Sequence, residues 1–161
     1  MNTPNLQSAL YDANKERALI YLDIFREIRK RHGEQEAIDI LRTALETRGR
    51  AFGKSLKSFA PGNFRGLCDA FAYAAGGEMW DPQEVRCDNE TLELKMHKCP
   101  LKEAWQSEGV TDQELGLLLY CASAMDVGTM DEAGFDLKIQ TWQPGEEGCC
   151  SLKITERTKL D

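Results

Sequence analysis

Three residues in the second half of the chain carry side chains that can do chemistry: Cys99, Asp126 and Cys150. Each stands where the surrounding pattern would otherwise place an apolar side chain. A thiolate is a nucleophile and a carboxylate moves protons, so the three together indicate nucleophilic and acid–base chemistry. Buried cysteines also pack as small hydrophobic residues, and this structural interpretation stays open for both thiols.

Cys99 lies between a predicted strand and a predicted helix. The run Thr91–Lys98 alternates apolar and polar side chains, as a half-buried strand does. Pro100 ends this strand and suits the first position of a helix. Cys99 is therefore predicted to be the N-cap, where the helix dipole and free N–H groups lower the pKa of a thiol. His97 lies on the same strand face and is a candidate acid or base, although a lone strand histidine is more often a surface residue.

Asp126 lies in line with the apolar face of a predicted helix. A capping box starts this helix near Asp112, and Leu115 and Leu119 share a face with Asp126 at 100° per residue. An ionised carboxylate in such a position needs partners or a pocket. The alternative is structural, because Gly128 follows closely and a helix that ends there would leave Asp126 in solvent.

Cys150 begins the second strand of a predicted C-terminal hairpin. The segments 135–142 and 150–154 alternate in polarity, and the turn-forming run 143–148 joins them. Alternation with Leu152 places Cys150 on the inward face and Cys149 on the outward one. The adjacent cysteine leaves the register open by one residue, so either Cys149 or Cys150 is the site residue.

This half of the chain resembles the L-2-amino-thiazoline-4-carboxylic acid hydrolase family over roughly residues 60–155. The residues that carry the resemblance are Cys99, Gly109, Cys121 with Asp126, and Gly148 followed by Cys150 and Leu152. The resemblance implies a bacterial hydrolase that opens a small cyclic amidine or amide. For such a reaction Cys99 is the candidate nucleophile, because a helix N-terminus would activate it, and Asp126 is the candidate general base or amidine partner. Cys150 is an assisting or pocket-forming residue.

The same hairpin is more distantly similar to the end of the vinyl-reductase-type small-molecule-binding domain. Some members of that family hold zinc through cysteines, but one ligand position falls on Trp142 in this sequence. The alternative function is therefore a small-molecule- or metal-binding sensor module without catalytic activity. Its metal, zinc or iron, would be held by Cys99, Asp126 and Cys150, whereas the thiol reaction requires no cofactor.

Composition restricts the partners of the protein. The chain has 161 residues, of which 42% are hydrophobic and 29% charged, and this predicts a single domain over 1–161. A formal net charge of −7 argues against nucleic acid and anionic membranes as partners, and the resemblance implies a small-molecule substrate. No membrane span or signal peptide is evident, and six cysteines then indicate reduced thiols in the cytoplasm.

The first 60 residues predict two amphipathic helices in an antiparallel hairpin. The segment 61–155 adds a short helix, a β-hairpin, two helices and a second β-hairpin. This order predicts an α+β fold, in which a small antiparallel sheet of about four strands packs against helices. The apolar stripes of the N-terminal hairpin (1–60) face either the core (61–155) or a second copy of the chain, as a homodimer.

Overall fold

In the computed structural model, helices surround one face of a four-stranded sheet, and residues 5–74 and 77–158 are described. The helices are α1 (Leu6–His32), α2 (Glu34–Gly53), α3 (Phe64–Cys68), α4 (Pro100–Ser107), α5 (Asp112–Ala122) and α6 (Ala124–Ala133). Shorter helical segments cover Lys54–Phe59 and Gly77–Trp80 as 3₁₀ turns and Asp69–Tyr73 as a π-helix. The fold is therefore α+β, and it begins with the predicted helical hairpin.

The strands form one antiparallel sheet in the order β1-β2-β4-β3. Their bounds are β1 (Pro82–Cys87), β2 (Thr91–Met96), β3 (Phe135–Gln140) and β4 (Ser151–Glu156). Leu94 of β2 lies opposite Leu152 of β4, and both are buried towards the helices. On the other face, the Lys153 ammonium pairs with the Glu93 carboxylate at 2.8 Å. The four-stranded sheet that the sequence predicts is thus confirmed, with the expected alternation of faces.

The N-terminal helices pack against the rest of the described chain. α1 lies along α4, and α2 lies along α6 and α5. The buried Trp105 indole N–H donates to the Ala18 carbonyl of α1 at 2.7 Å. The Glu114 carboxylate on α5 accepts from Arg26 and Arg29 of α1 at 2.8–3.0 Å. No helix in the described ranges is long and apolar enough to cross a membrane.

The helix that carries Asp126 differs from the sequence-based prediction. The sequence suggests one helix that ends close to Gly128. In the structure the first helix, α5, ends before Ser123, and a second helix, α6, follows it and runs to Ala133. The Ser123 hydroxyl donates to the Tyr120 carbonyl at 2.8 Å, as a side chain does when it competes with the helix ladder. Asp126 therefore lies in the first turn of a second helix, and the proposed solvent-exposed helix end does not exist.

Glycines bring α2 and α6 into backbone contact. A Cβ atom at Gly128 would lie 2.2 Å from the Glu46 carbonyl oxygen, and one at Gly49 would lie 2.0 Å from the Met125 carbonyl oxygen. The Thr129 hydroxyl lies 3.2 Å from the Gly49 carbonyl across the same contact. Small residues permit this approach, which fixes the position of the α6 turn that carries Asp126.

We expect Gly128→Ala to lower the free energy of unfolding by about 1–3 kcal/mol, because the added methyl group overpacks the contact with α2. The matched control is Gly116→Ala on α5, where a Cβ atom would meet nothing within 4 Å. That substitution should be neutral or stabilising by up to about 1 kcal/mol through helix propensity. Urea denaturation of both variants measures the difference, and equal stabilities would contradict the close α2–α6 contact.

Candidate functional site

A cavity of about 420 Å³ lies between the helices and one end of the sheet. Its wall is largely apolar, and the side chains that form much of it include Leu10, Leu45, Phe71, Trp80, Met96 and Leu119. Polar groups in the wall include Cys99, Asp126, Cys149 and Cys150. An apolar cavity of this size with a few converging polar groups has the character of a small-molecule site.

Cys99 is the N-cap of α4, as the sequence predicts. Its Sγ accepts a hydrogen bond from the Lys102 backbone N–H at 3.4 Å, and Pro100 follows it at the first helical position. The side chain is only 7% exposed, and the surface that it retains lies at the cavity. The local prediction for this residue is confirmed because a cap depends on its immediate neighbours in sequence.

The loop before β4 positions Cys149 and Cys150. Gly148 has φ +73°, a conformation that favours glycine, and the Lys102 ammonium donates to its carbonyl at 2.6 Å. The Cys149 N–H donates to the Met96 carbonyl at 2.8 Å, and the Met96 N–H donates to the Cys150 carbonyl at 2.9 Å. Both cysteines are thereby tied to the end of β2, beside Cys99.

The alternation of β4 does not extend back to the two cysteines. The strand begins at Ser151, and the backbone before it turns, so Cys149 and Cys150 both line the cavity. Cys149 is buried, with 3% of its surface exposed, and its Sγ lies 3.4 Å from the Cys150 Sγ. The expectation that Cys149 points outward is therefore wrong, and the structure brings both thiols to one place.

The three thiols share a hydrogen-bond network that favours a thiolate on Cys149. Hydrogen bonds from Cys150 and Cys99, together with the nearby Lys102 charge, lower the pKa of Cys149. The bond to Cys149, followed by burial, raises the pKa of Cys99 well above its ordinary value. The pKa of Cys150 is raised for the same two reasons. The sequence-based expectation of a lowered pKa at Cys99 is not met, since Cys99 acts as a donor to its neighbour.

Asp126 faces the same cavity from the first turn of α6. Burial, and secondarily the negative charge of Cys149, raise its pKa to about 7, while the charge of Arg17 acts in the opposite direction. A carboxyl group with a pKa near 7 exists in both protonation states at neutral pH. Asp126 can therefore donate a proton in one step of a reaction and accept one in another.

His97 is not brought to this cavity. It is exposed after the end of β2, and its Nε2 lies 2.8 Å from the Gln83 Oε1 on the neighbouring strand β1. Its backbone N–H donates to the Asp81 carbonyl at 3.1 Å. Of the four residues that the sequence suggests for the site, the cavity is lined by Cys99, Asp126 and Cys150.

The N-terminal helix contributes cavity residues that the sequence reading missed. Leu10, Asn14, Arg17 and Tyr21 of α1 all line the cavity. Their spacing of three to four residues is a signal that one helix face is shared, but it does not reveal what that face covers. The cavity wall therefore extends beyond the segment 60–155, because one face of α1 forms part of it.

Metal binding was the alternative use of these residues. Within residues 5–74 and 77–158, no group of three or more His, Cys, Asp or Glu side chains is arranged to hold a metal ion. The Cys149 and Cys150 sulfur atoms lie 3.4 Å apart, within hydrogen-bond distance, and contacts with both Cys150 and Cys99 lower the pKa of Cys149.

Comparisons with known proteins identify relatives of the sequence and the fold. No curated protein matches the sequence. A similar solved structure is trafficking protein particle complex subunit 3 from Naegleria fowleri, covalently bound to palmitic acid. The TM-score is 0.55 at 12% identity over 92% of this chain and 98% of that one, a likeness of fold alone. The family model of L-2-amino-thiazoline-4-carboxylic acid hydrolase matches residues 13–153, and the chain therefore belongs to that family.

Proposed function

We propose that this member of the L-2-amino-thiazoline-4-carboxylic acid hydrolase family opens a small cyclic amidine by hydrolysis, with Cys149 as nucleophile and Asp126 as proton donor and acceptor. The observation that carries the proposal is that one apolar cavity is lined by both Cys149, whose pKa is lowered by hydrogen bonds from the other two thiols, and Asp126, whose pKa is raised by burial to about 7. Cys99 and Cys150 serve as S–H donors, and this replaces the sequence-based expectation that Cys99 is the attacking thiol.

The thiolate and the carboxyl group suit the two halves of an addition–elimination reaction. The Cys149 sulfur adds to the amidine carbon of the ring, and the ring nitrogen takes a proton from the Asp126 carboxyl. One ring bond to that carbon then breaks, with the ring nitrogen or ring sulfur as leaving group. The product of this half is an open chain that remains bonded to the Cys149 sulfur.

Water completes the reaction and restores both residues. Its oxygen adds to the same carbon, and the proton that it finally loses returns to the Asp126 carboxylate. The carbon–sulfur bond to Cys149 breaks, and the thiolate regains its two S–H donors. The sum is the addition of one water molecule to the substrate without oxidation or reduction, so no redox partner is needed.

A second candidate function is the binding of an apolar chain without catalysis, as in a sensor module. The largely apolar wall of the cavity favours it, as does the likeness of fold to a subunit whose structure carries covalent palmitic acid. The ionisable Asp126 side chain in the cavity wall argues against the binding of an apolar chain. An acyl chain would leave the Asp126 carboxyl against hydrocarbon, where a carboxylate is costly.

Incubation of the protein with 2-aminothiazoline-4-carboxylate in ¹⁸O-water tests the proposed hydrolysis. We expect a ring-opened product that carries one heavy oxygen, and after acid quench a substrate adduct on the peptide that contains Cys149. Intact-mass analysis of the untreated protein tests the alternative. A bound acyl chain together with no turnover would replace the hydrolase proposal with the binding module.

We also propose a homodimer through α1 and α2 in a reducing cytoplasm. The support for the dimer is the exposure of Ile20 and Ile24 on α1 and of Ile40 on α2, each more than 40% exposed. The support for the compartment is that the six cysteines are free thiols. Light scattering of the purified protein measures the mass in solution, and a monomer at micromolar concentration would contradict the dimer.

A further inference from the structure

Arg17 is a cationic residue of the cavity wall that the proposed reaction leaves without a role. Its Nε is enclosed and has no hydrogen-bond partner among the described residues. Its guanidinium lies over the Tyr21 ring, with the Cζ 5.8 Å from the ring centroid. A buried N–H donor such as this Nε normally has an acceptor, because burial without one is unfavourable. The missing acceptor indicates an anionic group of a ligand.

The surroundings of Asp126 place Arg17 within reach of the reacting groups. The charges of both Arg17 and Cys149 influence the Asp126 carboxyl, in opposite directions, and all three residues line the one cavity. A cavity of about 420 Å³ holds a small ring with its substituents. A cavity that holds one such molecule is therefore lined by the Cys149 sulfur, the Asp126 carboxyl group and the Arg17 guanidinium.

We infer that Arg17 binds the carboxylate of the substrate, while Asp126 pairs with its amidine. The inference rests on the proposed function and assigns substrate recognition to the N-terminal helix, outside the half that carries the reacting groups. The planar N–H fork of an arginine matches a carboxylate in two parallel hydrogen bonds. A ring that carries both an amidine and a carboxylate satisfies both charges of the wall, and an amidine without the carboxylate leaves Arg17 unpaired.

Lys98 provides a matched comparison for Arg17. Among the described residues that line the cavity, these two are the cationic ones, and Lys98 is exposed. Its charge is screened by solvent, so its contribution to anion binding should be small. Removal of one charge from either position changes the net charge of the protein equally, and only the position in the cavity differs.

The test compares 2-aminothiazoline-4-carboxylate with 2-aminothiazoline, which lacks the carboxylate, in the wild type and in Arg17→Met, Arg17→Lys and Lys98→Met. Calorimetry measures binding, and product formation measures kcat and KM. We expect the wild type to favour the carboxylate compound by roughly 100-fold or more in kcat/KM, since a site built for a polar group rejects the analogue without it. Arg17→Met should lose this preference mainly through a higher KM for 2-aminothiazoline-4-carboxylate.

The controls separate recognition from folding and from catalysis. Arg17→Lys should recover part of the preference, and Lys98→Met should retain nearly all of it. A wild type that does not distinguish the two compounds, or that binds neither, overturns the inference without any variant. Selective binding that depends on Arg17 without turnover supports the carboxylate site and rejects the hydrolase. Turnover with an unchanged preference in a folded Arg17→Met overturns the inference and leaves the hydrolase standing.

Discussion

Cys149→Ser should lower kcat for ring opening by about a thousandfold or more while the protein stays folded. The reason is that a serine hydroxyl is not ionised at neutral pH, whereas hydrogen bonds from Cys150 and Cys99 and the Lys102 charge favour a thiolate at Cys149. Loss of a nucleophile in a covalent mechanism removes most of the catalysed rate. Product formation from 2-aminothiazoline-4-carboxylate, measured with a thermal melt of each variant, gives both quantities.

The other cysteines supply graded controls for this substitution. Cys87 lies on β1 and does not line the cavity, so Cys87→Ser should leave kcat unchanged. Cys99→Ser and Cys150→Ser keep a donor to Cys149 but with altered geometry, and we expect losses of about 10- to 100-fold. Cys99→Ala and Cys150→Ala remove the donor altogether, and each should move the acid limb of the pH profile of kcat/KM to higher pH, because loss of a donor raises the pKa of the Cys149 thiol.

A larger loss of kcat in Cys99→Ser than in Cys149→Ser would identify Cys99 as the nucleophile. That result would show Cys99→Ser inactive and Cys149→Ser active at a tenth of the wild-type rate or more. Alkylation by iodoacetamide at pH 6, with mass mapping, provides an independent measurement that needs no substrate. The thiol with the lowered pKa is alkylated first if the reagent reaches the cavity, so we expect the label on Cys149 before Cys99.

Asp126→Asn should abolish most of the turnover and raise stability above neutral pH. Burial raises the pKa of Asp126 to about 7, from an ordinary value of 3.8, so ionisation in the folded state is unfavourable. The folded protein binds more protons than the unfolded chain between those two pH values, and stability therefore falls as pH rises through that window. At pH 8 the ionised carboxyl costs the wild type on the order of 4 kcal/mol, and an amide avoids that cost.

The measurement is the difference in unfolding free energy between variant and wild type at several pH values. The difference should be near zero at pH 4, grow in favour of the variant up to about pH 7, and then stay constant. The catalytic loss should be about 100- to 10,000-fold, as for a general acid–base residue. The control is Asp131→Asn on the same helix, where the carboxylate pairs with Arg50 and Arg157 at the surface.

Asp131→Asn should retain turnover and lose at most about 1 kcal/mol of stability, since surface ion pairs contribute little. A drop in the stability of Asp126→Asn at pH 8, with binding of the substrate intact, would make Asp126 a structural partner. Equal loss of turnover in both variants would show that disturbance of α6, and not the Asp126 carboxyl, causes the effect.

The places where sequence and structure disagree follow from the range of the interactions involved. The N-cap at Cys99 depends on Pro100 and on backbone N–H groups in the next turn, so it can be predicted from a few consecutive residues. The protonation of its thiol depends on Cys149, 50 residues away, and the local argument from the helix dipole therefore gives the wrong direction of the pKa change. The role of Gly128 also depends on a distant segment. It packs against the Glu46 carbonyl of α2 and lies within α6, whereas the local sequence suggests a helix end there.

The sequence by itself determined the α+β class, the four antiparallel strands, the N-terminal helical hairpin and the family, because polarity patterns and turn residues act over short distances. The tertiary structure alone decided that the pKa of Cys149 is lowered and that of Cys99 raised, since the Cys149 pKa is set by donors and a cation from separate segments. It also decided that Asp126, whose pKa is raised by burial, and Arg17 line the same cavity. Electrostatic energies depend on distance in space and on exclusion of water, and both are set only when helices from the two halves of the chain pack together.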